Sequence, residues 1–129
     1  MPETFTVEII TPDNSILKSE ANEVTIPSYE GEMGILKDHI PLITFLRPGI
    51  VLVKSKDEKK FYIEEGTVEF SNNNLLILTS TAKDLEKFDK NLISNLISDA
   101  EQKLEDNNST DKEKYVLSYQ INTLKEISR

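Results

Sequence analysis

The spacing of apolar residues changes once along this chain. Up to about residue 82, apolar and polar residues alternate in short runs, as at Phe5, Val7 and Ile9. Similar runs follow at 24–26, 50–53, 61–63, 68–70 and 75–78. Alternation at this close spacing, interrupted by Pro, Gly, Asn and Asp, is typical of half-buried strands joined by tight turns. It predicts an N-terminal antiparallel β-sandwich, or flattened barrel.

Beyond residue 82 the apolar residues recur at three- and four-residue steps, which indicates helices. The two stripes are Leu85, Phe88, Leu92, Ile93, Leu96, Ile97, Ala100 and Leu104, and then Val116, Leu117, Ile121, Leu124 and Ile127. Residues 105–109 interrupt them, and Thr110 precedes Glu113 at capping-box spacing. The sequence therefore predicts an α+β protein of two domains, with the sandwich at 1–83 and an antiparallel helical hairpin at 84–129.

Two states of this hairpin are compatible with the stripes. In the first, the two helices bury their apolar stripes against each other, as paired amphipathic helices usually do. In the second, the hairpin opens and the same stripes bind a partner that offers a longer groove, which would be a population shift rather than a new fold. The sequence leaves both states open.

The predicted turns of the sandwich contain charged residues, asparagines and glycines, which are typical of tight turns. Residues 56–59 form a charged hairpin tip, and the asparagines of residues 71–74 tolerate left-handed backbone. In the segment EGEMGI at 30–35, we expect Gly31 and Gly34 to supply positive φ at a protruding turn. Such a turn would display Tyr29, Glu30 and Glu32 to a partner.

Composition narrows the functional classes. The chain has 129 residues, no cysteine, and 23 acidic against 15 basic residues, giving a net charge of −8. This charge argues against nucleic acid as a partner, because phosphate binding draws on clustered Lys and Arg. Without cysteine there is no disulfide framework and no thiolate metal site. The first ten residues read as a strand rather than a targeting peptide, and every apolar run is far too short to cross a bilayer.

No catalytic, metal or cofactor site is predicted. Glu30, Glu32, Asp38 and His39 lie close together in the sequence, but their spacing matches no metal motif or acid–base pair. His39 is the single histidine, and we expect a turn residue whose ring bonds to the backbone. The G-x-x-G outline at 31–34 contains glutamates where an RNA-binding loop would carry basic residues. No phosphate-binding glycine loop is present.

A longer pattern carries a family resemblance. The segment VTIPSYEGEMGILKDHIPLITFLRPGIVLV at 24–53, followed by GTVEF at 66–70 and LLILT at 75–79, resembles the ε subunit of bacterial F-type ATP synthases. The similarity runs from Phe5 to the C-terminus and is strongest before Ala82. It implies a sandwich of about ten strands seated on the γ subunit and the membrane c-ring.

The implied function is mechanical. A subunit of this family is a non-catalytic part of the central rotor and links γ to the c-ring, so that proton transport is coupled to ATP synthesis. The family loop E-G-E-[LM]-G-I faces the c-ring. The residues that would take this role here are Glu30, Gly31 and Glu32, with the adjacent turn of His39, Ile40 and Pro41. Acidic side chains facing basic ring loops would give orientation more than affinity.

The resemblance also implies a regulatory hairpin. In the family the helices can extend along γ toward the catalytic α and β subunits and inhibit ATP hydrolysis, often with a basic second helix. Residues 85–129 carry 7 basic and 9 acidic residues, which weakens that expectation. Some members bind ATP through I-D-x-x-R-A; Asp89 matches this motif, but Leu92 replaces its arginine. We therefore expect weak or absent ATP binding.

The implied location is the cytoplasmic face of the bacterial inner membrane, where the protein would be peripheral and held only through its partners. Two other classes stay open: a free-standing β-sandwich that binds a small ligand, and an acidic metal-dependent hydrolase. The first would need a concave face with several aromatic residues, whereas the nine Phe and Tyr residues are scattered. The second would need more metal ligands than one histidine supplies.

Overall fold

The computed structural model describes residues 3–106 and 108–128. Residues 1, 2, 107 and 129 lie outside this part, and with them the outer limits of both predicted domains and one residue of the predicted helix break. Ten strands come first, followed by a 3₁₀ turn at Leu85–Lys87 and two α-helices. This order confirms the predicted sandwich followed by a helical hairpin.

The strands are β1 Phe5–Ile10, β2 Ser15–Ala21, β3 Glu23–Ser28, β4 Gly31–Leu36, β5 Leu42–Leu46, β6 Gly49–Lys54, β7 Glu58–Ile63, β8 Gly66–Ser71, β9 Asn74–Thr79 and β10 Ala82–Asp84. Along β1, every second residue, Phe5, Val7 and Ile9, is buried. The same alternation in β6, β8 and β9 fills a core between two layers of strands. The last strand, β10, pairs with β7 and includes Asp84.

The strands form one sheet that folds back on itself, in the order β10-β7-β6-β3-β5-β8-β9-β1-β2, with β4 paired to β3. Among the described pairings, β1 with β9 is parallel and the others are antiparallel. Both predicted tips are present. The first is shifted, because β6 and β7 are joined through residues 55–57 and the predicted tip residues 58 and 59 belong to β7. In the second, Asn72 and Asn73 adopt left-handed backbone with φ of 51° and 57°.

The helices are α1 Lys90–Leu104 and α2 Asp111–Ile127. Asp89 caps α1 by accepting a hydrogen bond from the Asn91 amide at 2.8 Å. Thr110 caps α2 by accepting from the Glu113 amide at 3.1 Å, as the capping-box spacing predicts. The Glu113 carboxylate accepts from the Thr110 hydroxyl at 3.2 Å.

The hairpin is closed and docked on the sandwich. Its interior forms a second apolar cluster, in which Ile93 and Leu124 pack against Tyr62 of β7. Beside this cluster, the Gln120 amide donates to the Glu64 carboxylate at 3.2 Å, and the Tyr62 hydroxyl donates to the same oxygen at 3.5 Å. Neither described helix is long and apolar enough to cross a membrane.

Candidate subunit-docking surface

The side of β5, β8, β9 and β1 that points away from the core forms an apolar surface, which we call the outer face. Strand alternation places it there: residues next to buried Leu46, Val68 and Ile77 point outward. Cross-strand pairing arranges it in two rows. The first is Phe45, Thr67, Leu78 and Ile10, and the second is Ile43, Glu69, Leu76 and Glu8.

Large apolar side chains of the outer face are open to solvent. Ile43 is 76% exposed, Phe45 63% and Leu78 45%. A groove of about 550 Å³ runs beside them and is lined in part by Ile10, Phe45 and Leu78. The apolar cluster of the helical hairpin packs against Tyr62 of β7, in the other layer, and Lys112 of α2 reaches the edge of the outer face beside Phe45. Large apolar side chains exposed together on one face are typical of an interaction site.

The turn between β3 and β4, residues 28–32, forms an acidic turn. The Ser28 hydroxyl donates to the Gly31 carbonyl at 2.9 Å and accepts from the Glu30 amide at 3.1 Å. Gly31 has a φ of 120°, as expected for a turn glycine. Gly34 differs from the expectation, because it lies within β4 without a positive φ. Glu30 and Glu32 are both exposed.

Tyr29 does not have the exposed position expected for it. Its ring stacks on Tyr115 of α2, with centroids 6.2 Å apart and an interplanar angle of 18°. Its hydroxyl is buried and has no hydrogen-bond partner in the described part of the chain. Burial, and then the Glu65 carboxylate, raise the pKa of the Tyr29 phenol. A helix 86 residues further along the chain covers the side chain, and the turn sequence carries no signal of it.

Residues 37–41, which we call the histidine loop, connect β4 to β5. Asp38 has a φ of 67°, its amide donates to the Asn73 side chain at 2.7 Å, and the Asn73 amide donates back to the Asp38 carboxylate at 3.0 Å. His39 Nδ1 lies 2.8 Å from the Ile40 carbonyl, which confirms the predicted backbone bond. The loop holds Ile40 with 74% of its surface exposed.

The six residues predicted to face the c-ring do not form one surface. Ser28 pairs with Gly31 at one end of β4, and Glu23 pairs with Leu36 at the other. A strand of this length spans about 17 Å, at roughly 3.4 Å per residue. Glu30, Gly31 and Glu32 therefore belong to one end of the sandwich, while His39, Ile40 and Pro41 belong to the opposite end. The two turns are neighbours in the sequence but are separated by the length of β4 in the fold.

The residue that matches the family ATP motif has a structural role. Asp89 is the N-cap of α1, and Leu92, at the position of the motif's arginine, is 39% exposed. Within residues 3–106 and 108–128, no group of three or more His, Asp or Glu side chains is arranged to hold a metal ion.

Sequence reasoning missed the outer face, although a signal was present. In β5, Leu42–Leu46, and in β9, Asn74–Thr79, apolar residues occupy both alternating phases of the strand. A strand that is apolar at both alternating positions is usually covered on both sides. In β5 and β9 one side packs in the core, whereas the other side is exposed and available to a partner. The alternation predicts a half-buried strand at 75–78 but does not indicate that its second side carries exposed apolar residues.

Comparison with known proteins identifies the family. The family model for the β-sandwich domain of the ATP synthase delta/epsilon chain matches residues 4–84. The chain is 45% identical over 130 residues to the ATP synthase epsilon chain of Pelagibacter ubique (strain HTCC1062), covering 99% of this chain and 100% of that one. It is 35% identical over 119 residues to the epsilon chain of Gloeothece citriformis (strain PCC 7424), covering 91% and 86%.

A solved structure agrees in fold. A chain in the cryo-EM structure of the Euglena gracilis mitochondrial ATP synthase superposes with a TM-score of 0.81 at 22% identity, covering 100% of this chain and 84% of that one. The fold and the sequence relatives together define a protein of the delta/epsilon class. This chain belongs to the family of ATP synthase epsilon chains, which are structural and not catalytic subunits of the complex.

Proposed function

We propose that this chain is a rotor subunit of the central stalk of an F-type ATP synthase, linking the γ subunit to the c-ring so that proton transport drives ATP synthesis. The observation that carries the proposal is the open outer face on a chain of this family. Its large apolar side chains have the exposure expected of a protein interface. The protein would be peripheral, at the cytoplasmic face of the bacterial inner membrane, and held there by its partners.

The γ subunit would dock on the outer face. Covering Phe45, Ile43 and Leu78 removes apolar surface from water, and each such side chain contributes about 1.5–3 kcal/mol when fully buried. Glu8 and Glu69 lie in the second row of the same face and would pair with basic groups of γ. The histidine loop directly precedes β5, so exposed Ile40 would extend this contact.

The c-ring would face the acidic turn. Glu30 and Glu32 present carboxylates on a short turn that Ser28 holds in place. Carboxylates at an exposed rim favour a basic partner, steer its approach and fix its orientation more than they add affinity. This assignment keeps Glu30, Gly31 and Glu32 at the ring and moves His39, Ile40 and Pro41 to the γ side, because the two groups lie at opposite ends of β4.

The hairpin would regulate the complex. Its apolar cluster joins α1, α2 and Tyr62, and the same stripes would repack along γ if the helices left the sandwich. Extended helices would then reach the catalytic α and β subunits and block ATP hydrolysis. ATP is not expected to hold the hairpin closed, because Leu92 stands at the position of the motif's arginine.

A reconstitution with γ and c-ring from the same source tests both contacts. For the outer face, Phe45→Glu places a charge in the centre of the apolar row. We expect the dissociation constant for γ, measured by calorimetry, to rise about tenfold or more. For the acidic turn, Glu30→Gln with Glu32→Gln should leave γ binding within about twofold, yet lower ATP-driven proton pumping relative to ATP hydrolysis in the assembled complex.

Ser94→Glu is the control for the outer face, because Ser94 is exposed on α1 and belongs to neither apolar stripe. It adds the same charge and should leave γ binding unchanged. Equal loss of γ binding in Phe45→Glu and Ser94→Glu would contradict docking at the outer face. Unchanged pumping in the acidic-turn variant would remove that turn from the ring contact.

A further inference from the structure

Four side chains join α2 to one end of the sandwich, and we call them the aromatic clasp. The Tyr29 ring stacks on Tyr115, and the Tyr115 ring meets Tyr119 edge-on, with centroids 4.9 Å apart. The Arg47 guanidinium lies 4.3 Å from the centroid of the Tyr119 ring, on which it makes a cation–π contact. The Tyr115 and Tyr119 hydroxyls are 3.3 Å apart. Two members come from turns of the sandwich and two from successive turns of α2.

The sandwich half of the clasp is held to the end of β5 by backbone hydrogen bonds. The Tyr29 amide donates to the Phe45 carbonyl at 3.3 Å, and the Arg47 amide donates to the Pro27 carbonyl at 3.0 Å. These bonds tie the backbone of the acidic turn to the end of β5. A displacement of Tyr29 therefore moves the turn with it, and Glu30 follows Tyr29 directly in the chain.

The N-terminal half of α2 has no fully buried residue among its described positions, and the clasp is one of its contacts with the sandwich. The buried residues of α2 are Ile121, Thr123 and Leu124, all in its C-terminal half. In the N-terminal half, Tyr115 is 45% exposed and its ring contact is with Tyr29 of the sandwich. Segments with few buried contacts open most easily, so this half of α2 is expected to be the first part of the hairpin to leave.

One feature of the closed clasp opposes closure, namely the burial of the Tyr29 hydroxyl. The Tyr29 hydroxyl is buried in the closed clasp, and the neighbouring Glu65 carboxylate lies outside good hydrogen-bond geometry. Burying a hydroxyl with a poor hydrogen bond is unfavourable, and opening the clasp would recover part of that loss. Stacking of the rings favours the closed state and desolvation of the phenol favours the open one, which is the balance that a two-state element requires.

We propose that the aromatic clasp couples the acidic turn to helix α2, so that binding at the turn and release of the helix influence each other. A partner that moves Tyr29 off Tyr115 frees the N-terminal half of α2. By linkage, freeing α2 changes the affinity of the turn for that partner by the same factor. The identity of the partner rests on the function proposed above, whereas the coupling is a property of the isolated chain and is tested there.

Hydrogen exchange of the full chain tests the coupling, read at the Tyr29 and Glu30 amides and across the first half of α2. Tyr115→Ala removes the stacking partner of Tyr29. We expect exchange to accelerate about fivefold or more in both segments. Tyr29→Ala should accelerate the first half of α2 in the same way. Tyr115→Phe keeps the ring and should stay within about twofold of the wild type.

Leu117→Ala is the matched control, because Leu117 is a half-buried residue of the same helix outside the clasp. It should loosen α2 and leave the acidic turn within about twofold of the wild type. The proposal is overturned if Tyr115→Ala speeds exchange in α2 alone, or if Leu117→Ala speeds the turn as much as Tyr115→Ala does. Tyr119→Leu, which removes the contact with Arg47, provides a second variant should Tyr115→Ala fail to fold.

Discussion

At the scale of single residues, the sandwich depends on positions where no side chain fits. A Cβ atom added to Gly66 would lie 2.5 Å from the Leu78 carbonyl oxygen and 3.1 Å from the Thr79 Cβ. The first of these atoms is backbone and belongs to the paired strand β9, so it cannot move aside without disturbing the β8–β9 pairing. Gly34 has nothing within 4 Å of its added Cβ. A side chain is therefore excluded at Gly66 and has free space at Gly34.

Gly66→Ala is therefore expected to lower the free energy of unfolding by about 1–3 kcal/mol, the usual range for overpacking at a site that cannot expand. Gly34→Ala is its control and should be neutral or slightly stabilising, because alanine restricts the unfolded chain more than glycine does. Urea denaturation of both variants measures the difference. Equal stability of the two variants would show that β9 can shift to accept a methyl group.

At the scale of elements, the spacing of apolar residues predicted the strands and helices whose sides are buried. The two-residue period of apolar residues predicted the strands, and the change to a helical period near residue 82 predicted the hairpin. Each period reflects which side of a strand or helix is buried. The parallel pairing of β1 with β9 and the stacking of Tyr29 on Tyr115 were not predicted. Both contacts join distant parts of the chain, and no spacing in the sequence encodes them.

One element-scale interpretation changes with the structure. Asp89 matches a residue of the family ATP motif, yet its carboxylate accepts a hydrogen bond from the Asn91 backbone amide at the start of α1. Removal of an Asp cap costs a helix about 0.5–2 kcal/mol. We expect Asp89→Ala to destabilise the hairpin by that amount in the absence of any nucleotide.

The helical signal in far-ultraviolet circular dichroism measures this effect, because both α-helices of the described chain belong to the hairpin. Asp99→Ala is the control, since Asp99 is exposed in the interior of the same helix, where alanine is the better helix former. A thermal midpoint for Asp89→Ala equal to that of Asp99→Ala would contradict the capping role.

At the scale of the whole molecule, the outer face and the apolar cluster of the hairpin lie on different layers, although α2 approaches the outer face where Lys112 and Phe45 line the same pocket. The outer face belongs to β5, β8, β9 and β1, whereas the hairpin covers Tyr62 of β7 in the other layer. Most of the outer face is therefore free for the γ subunit while the hairpin stays closed on β7. The sequence could not reveal this separation, because it arises from how the sheet folds back on itself.

The closed hairpin should be sensitive to pH through Glu64. Burial raises the pKa of this carboxyl, and the nearby Glu65 carboxylate adds to the rise. The hydrogen bond from the Tyr62 hydroxyl and the positive charges of Lys103 on α1 and Lys83 on β10 act in the opposite direction. Gln120 of α2 bonds to the same group. A carboxyl whose pKa is raised in the docked state binds its proton more tightly there. The stability it contributes is thus fully present below about pH 4.5, its unperturbed value.

That contribution is lost as pH rises through the raised pKa, and it stays lost above it. We expect Glu64→Gln, which keeps a partner for Gln120 and carries no charge, to remove this loss. The variant should be more stable than the wild type at pH 7.5, by less than about 1 kcal/mol because the carboxyl is still partly solvated, and the difference should shrink toward pH 4.5. Thermal unfolding followed by the helical signal measures it, with exposed Glu69→Gln as control. A stability difference for Glu64→Gln that does not change between pH 4.5 and 7.5 would show that ionisation of Glu64 does not oppose docking of the hairpin.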